Sequence, residues 1–224
     1  MELENHKFPW LDAMEFELNH RVTHYLMREH KDYCSLLEQI KELMDKFPAI
    51  AKLIDERREL HLSEQEHEAY LEYRRLREEI GALERKYFYL AGQADMMPYM
   101  HTLQGLSKEK AEEDRYKIDH LQLESWQMEI INHAVEEAEQ EARKNCKEYG
   151  EIEKKISELY SKYPFIDSFT DNGKIKEGRT FSSEELQRVS DCLDLEDDKR
   201  YIEQTELYLK GIRDGYALKK FLEK

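Results

Sequence analysis

The side chains best suited to chemistry in this chain are two glutamate–histidine pairs at helical spacing, Glu17-x-x-His20 and Glu64-x-x-His67. On a helix, residues three apart share a face. Helical bundles that hold two iron or manganese ions use two Glu-x-x-His motifs with two further glutamates. His24, one turn beyond His20, would share its face. Against that chemistry, glutamate is so abundant here that the spacing recurs by chance. The histidines also fail to follow the internal repeat described below: His20 and His24 align with Glu136 and Gln140, and His67 aligns with Leu186. No metal site is expected at His20, His24 or His67, which are expected to lie exposed or partly buried on helices.

The remaining reactive groups form no recognisable set. Cys34, Cys146 and Cys192 are far apart and odd in number, which supports neither a disulfide framework nor a zinc knuckle. No phosphate-cradling glycine loop, zinc-protease helix motif or nucleophile elbow occurs. Residues 167–179 look superficially like a calcium loop. With Gly173 in the sixth place, however, the first is Ser168 and the twelfth Arg179, where a bidentate glutamate is needed. Thr170-Asp171-Asn172-Gly173-Lys174 therefore reads as a turn, at most a small β-hairpin within 166–180. No catalytic residue and no cofactor is expected, and the chain reads as a non-enzyme.

Carboxylates are the other conspicuous feature. Glu136, Glu137, Glu139 and Glu141 crowd one stretch, and Asp194, Glu196, Asp197 and Asp198 another. Such runs are usually solvated faces; the sharper reading is a surface that imitates nucleic-acid phosphates and docks on a basic partner. Tyr70, Tyr73, Tyr87 and Tyr89 read as core, with room for a partner surface because Tyr, Trp and Met favour interfaces.

The elements that must position these groups are helices. Charged residues make up 38%, yet hydrophobic residues reach 40%, with 14 Tyr and 8 Phe, too many for an acidic disordered chain. With only 8 Gly and 4 Pro among 224 residues, long helices are favoured. The net charge of −15 disfavours direct contact with nucleic acid or anionic membranes. No apolar run is long enough for a membrane span, and the first residues carry no basic-then-apolar leader. A reducing cytoplasm is the expected location.

Apolar residues recur at threes and fours from Trp10 to Phe47, with Glu29 filling one slot, predicting one long helix stopped by Pro48. A short helix is expected around 50–60. Ser63 with Glu66 forms a capping box opening a second long helix that Pro98 kinks or ends. A third is expected from Ser107 to Tyr163, bent or interrupted near Gly150 and stopped by Pro164. Ser182 with Glu185 caps a fourth, reaching about Leu222, with doubtful continuity through the acidic 194–198.

The two halves match each other. At an offset of 116, LLEQIKELMDKFPAI and IEKKISELYSKYPFI share Pro48 with Pro164 and five further identities, and Trp10 pairs with Trp126. After three extra residues in the second copy, an offset of 119 pairs Ser63 with Ser182. Further on, LERKYFYLAGQAD meets IEQTELYLKGIRD, pairing Gly92 with Gly211 and Asp95 with Asp214. Shared amphipathic periodicity explains matching Leu and Glu, but not matching Pro, Trp and Gly. The expectation is an all-α, elongated, coiled-coil-like bundle of two tandem hairpins, residues 1–105 and 106–224, each about 60 Å long by helical rise, standing apart or packed as a single helical domain.

The two copies, through YLAGQAD and YLKGIRDGYAL, resemble small uncharacterised bacterial all-helical proteins whose last helix carries an aromatic-x-x-Gly-x-x-Asp pattern. The resemblance implies the helical fold and supplies no catalytic residue. Two amphipathic hairpins without a catalytic signature lead to a scaffold or adaptor working through protein partners, with homodimerisation expected. The alternatives are the acidic nucleic-acid mimic acting on a basic protein, and a metal- or ligand-binding bundle enzyme.

Overall fold

A computed structural model describes residues 9–55, 58–103, 125–170, 173, 175 and 178–222. The described residues are nearly all helical. Helices α1 (Pro9–Glu29), α2 (Lys31–Lys46) and α3 (Ala49–Asp55) precede strand β1 (Leu60–Leu62) and helix α4 (Glu64–Leu103). The second half repeats the order: α5 (Ser125–Asn145), α6 (Lys147–Lys162), a 3-10 turn (Pro164–Phe169), β2 (Arg179–Phe181) and α7 (Ser183–Leu222).

The duplication is visible in the lengths. α1 and α5 both have 21 residues, α2 and α6 both 16, and α4 and α7 both 40. Trp10 and Trp126 are each the second residue of their helix; their side chains lie outside the described residues. Pro48 and Pro164 each follow a helix that ends two residues earlier. Both capping boxes form. The Ser63 hydroxyl accepts from the Glu66 N–H at 3.3 Å and the Glu66 carboxylate accepts from the Ser63 N–H at 2.9 Å. Ser182 and Glu185 repeat this at 3.2 and 2.9 Å.

Several expectations are corrected. The first long helix breaks at His30, whose ψ of 103° is extended, and whose Nδ1 accepts from the Tyr33 N–H at 3.2 Å. The Cys34 thiol donates to the Met27 carbonyl, left without its helical donor by the break, at 3.0 Å. The matching break falls at Cys146, the repeat equivalent of His30, and α6 passes through Gly150 without interruption. Helix α4 continues through Pro98 to Leu103; the lost N–H costs one bond but does not end the helix. Helix α7 crosses the acidic 194–198 unbroken because cations meet its carboxylates: Arg74 binds Glu196 at 3.0 Å and Arg200 binds Asp197 at 3.2 Å. The expected start of the third helix at Ser107, and Gly105, lie outside the described residues.

The small sheet is not a local hairpin. β2 pairs antiparallel with β1, with Leu60 opposite Phe181, His61 opposite Thr180 and Leu62 opposite Arg179. The turn expected before it exists in part, as the Gly173 N–H donates to the Thr170 carbonyl at 2.9 Å.

The chain forms two compact units that cut across the repeats. One comprises Met1–Tyr25, Leu83–Lys147 and Tyr201–Lys224, the other Leu26–Ala82 and Glu148–Arg200. Each therefore draws on both copies. The first buries Leu18, Val22, Phe88, Tyr89, Ile131, Ala138, Leu207 and Tyr208. The second is built on Ile50, Leu53, Leu62 and Tyr70 from the first copy and Ile166, Phe169, Phe181 and Leu186 from the second.

Candidate functional site

In the first unit, polar chemistry gathers around the paired glycines. A Cβ on Gly92 would lie 2.1 Å from the Tyr208 carbonyl oxygen, and one on Gly211 would lie 2.1 Å from that of Tyr89. Only a missing side chain permits backbones that close. Their approach brings each tyrosine to the aspartate of the other copy. The Tyr89 hydroxyl donates to Asp214 at 2.9 Å, and the Tyr208 hydroxyl donates to Asp95 at 3.0 Å.

Each aspartate also meets a cation, supplied differently in the two copies. Arg21 grips Asp95 with both terminal nitrogens, at 3.1 and 2.6 Å. The residue equivalent to Arg21 is Glu137, an anion, and Lys210 compensates by reaching Asp214 at 3.0 Å and Glu137 at 2.8 Å. Burial works against the charge on Lys210, but its bonds to Glu137 and Asp214 outweigh that and hold its pKa above the ordinary lysine value. The same bond holds Glu137 below the usual carboxylate range. Burial, then donation to Asp214, raises the Tyr89 phenol, which therefore stays protonated at neutral pH. The cluster is fully ion-paired and hydrogen-bonded and joins the two copies.

The second unit has its own polar set. Glu196 accepts from Arg74 at 3.0 Å and from the Tyr160 hydroxyl at 3.2 Å, with Cys192 Sγ 4.0 Å away. Burial, then the charge of Glu196, pushes the Cys192 thiol up to about 11. A nucleophilic cysteine works as its thiolate, so this neutral, buried thiol is a poor nucleophile. Burial also pushes the Tyr70 hydroxyl up to about 12, with the neighbouring Arg74 guanidinium acting in the opposite direction.

The candidate metal ligands are not brought together. Glu17, His20 and His24 are exposed in the first unit, the two imidazoles 5.9 Å apart. Glu64 is exposed in the second unit. His67, also there, is not partly exposed as expected but 1% accessible, in the core slot that Leu186 fills in the other copy. Its Nε2 donates to the Ser168 carbonyl at 2.5 Å, and burial lowers its pKa, so it is a neutral core histidine. Among the described residues no group of three or more His, Cys, Asp or Glu is arranged to hold a metal ion.

The acidic stretch on α5 divides. Glu137 is bound by Lys210 and Glu141 by Arg213, while Glu136 is exposed and Glu139 half-buried. Exposed apolar side chains lie elsewhere: Leu218 and Phe221, three apart near the end of α7, are 58% and 74% accessible, and Ile130 of the same unit is also exposed. Sequence reasoning paired Tyr89 with Tyr208 and Asp95 with Asp214 but did not foresee that they bond to each other. The available signal was their place in the matched window that also pairs Gly92 with Gly211, an identity that amphipathic periodicity does not explain.

The chain belongs to a family of unknown function, DUF6664, whose model matches it twice, over residues 6–106 and 118–223. These tandem matches coincide with the two copies. No curated protein and no solved structure matches the chain. Among the described residues no helix is long and apolar enough to cross a membrane.

Proposed function

We propose that the protein is a non-enzymatic helical scaffold or adaptor that acts through protein–protein contacts and self-associates. The observation that carries this reading is where the repeated polar residues are used. Tyr89, Asp95, Tyr208 and Asp214 bind one another across the copies, and Ser63–Glu66 and Ser182–Glu185 cap helices. What the duplication preserves is therefore architecture. Leu218 and Phe221, exposed on one face of α7, supply the kind of apolar surface that partners cover. Three free cysteines, Cys34, Cys146 and Cys192, fit a reducing, cytoplasmic setting.

Light scattering of the purified chain, alone and after Leu218→Ser with Phe221→Ser, tests the reading together with affinity capture. A mass above that of the 27.1 kDa monomer that falls on substitution supports it. A monodisperse monomer that captures no partner overturns it. The acidic-mimic alternative draws less support, because Glu137 and Glu141 are already occupied by Lys210 and Arg213. The bundle-enzyme alternative is tested by elemental analysis: stoichiometric iron, manganese or zinc lost on substituting His20 or His67 would revive it.

A further inference from the structure

Contacts between the copies come in exchanged pairs within each compact unit. In the first, Gly92 lies against the Tyr208 carbonyl as Gly211 lies against that of Tyr89, and Tyr89 binds Asp214 as Tyr208 binds Asp95. In the second, Leu60 faces Phe181 while Leu62 faces Arg179, and these are exchanged equivalents at the offset of 119. His61 and Thr180, themselves equivalents, sit opposite each other at the centre, with His61 Nδ1 and Thr180 Oγ1 3.0 Å apart. When residue i meets j and the equivalent of j meets the equivalent of i, the interface is isologous, the form found in twofold homodimers. Chain continuity alone does not generate this exchange.

We propose that each repeat is one protomer of an isologous dimer, that its interaction face fits a second repeat, and that the connection between residues 106 and 118 is not needed for assembly. The partner it fits best is the opposite repeat. Leu18 and Val22 in the first copy stand where the second has Ala134 and Ala138, all four buried. Two first repeats would overfill the first unit and two second repeats would underfill it, and both faults destabilise a core. The polar contacts discriminate less, because Arg21 with Asp95, and Lys210 with Glu137 and Asp214, each balance within one copy or across two.

The test starts from the full chain carrying a specific protease site in place of residues 108–114. The folded protein is cut, then followed by native mass spectrometry and circular dichroism as it is diluted. The two pieces are expected to remain one-to-one with the helical signal intact, and to recover that complex after unfolding in urea and dilution. Mixing cut protein with an isotope-labelled cut sample before unfolding should yield first–second pairs in excess of like pairs. In the same format Gly211→Ala should weaken the pair roughly tenfold or more. The uncut Gly211→Ala chain, whose tether keeps the copies at high effective concentration, should keep its helicity. Pieces that separate on cutting, fail to reassemble, or form like pairs preferentially would overturn the proposal.

Discussion

The rings of Tyr25 and Tyr87 lie 5.4 Å apart, tilted by 39°, and the positions equivalent to them in the second copy hold two acids, Glu141 and Glu206. An aromatic contact in one half of the first unit is thus an acidic pair in the other. Arg213 binds Glu141, and burial raises the Glu206 carboxyl above its ordinary value.

A carboxyl whose folded pKa is raised costs stability once it ionises. The cost is absent below the unfolded glutamate pKa, grows as pH rises through the folded value, and persists at neutrality. Glu206→Gln is therefore expected to raise the melting temperature at pH 7 by about 2–4 °C, with the gain vanishing near about pH 4. Thermal melts at both pH values check it; an equal gain at each would assign the effect to something other than the buried charge.

Gly92→Ala is expected to destabilise the protein by about 1–3 kcal/mol. The expectation carries a sign test, because alanine is the better helix former by about 1 kcal/mol. A Cβ 2.1 Å from the Tyr208 backbone oxygen cannot be relieved by rotating a side chain. Urea unfolding of the variant would show a lower midpoint, and a higher one would mean the helices can part without loss.

His67 is held neutral, and burial lowers its pKa. A base with a depressed folded pKa supports stability above its unfolded value, about 6.5, and that support is lost as pH falls from there through the folded pKa. Wild-type stability should decline across this window. His67→Leu, which installs the residue found at the equivalent Leu186, should lack that component of the decline. An unchanged pH profile would count against a buried neutral imidazole.

Cys192 is buried, with its pKa pushed up to about 11, whereas Cys34 and Cys146 are half-buried. Labelling of the native protein with a thiol reagent at pH 8 should leave Cys192 unmodified for longest, at a rate roughly a hundredfold or more below that of the unfolded chain. Three thiols reacting at similar rates would contradict this placement.

Much of the architecture is legible in the sequence. Pro48 and Pro164, and the paired Ser–Glu boxes, announce their positions through local chemistry that holds in any tertiary context. The breaks at His30 and Cys146 were not legible as breaks, because neither Pro nor Gly marks them; Glu29 fills one slot of the first stripe just before His30, while the second stripe runs on through Cys146. Strand β1 was hidden for another reason. Leu60-His61-Leu62 has no adjacent partner, and its ladder depends on residues in the other copy. The burial of His67 could have been inferred, since its alignment with Leu186 placed it in a core slot, but an isolated histidine gives no such sign. The polar cluster around Gly92 was readable only as a set of matched identities, with its geometry supplied by the exchange between copies.

The three-residue ladder between β1 and β2 also bears on how fast the molecule forms. Helical proteins fold quickly when their contacts are local, but here His61 must find Thr180, 119 positions along the chain, before the small sheet can close. Closing so long a loop costs entropy that is recovered only once the flanking Leu62 and Phe181 are buried. The search for that pairing, rather than helix formation, is expected to set the refolding time, so variants that strengthen helix propensity will leave the rate nearly unchanged while Thr180→Gly will slow it.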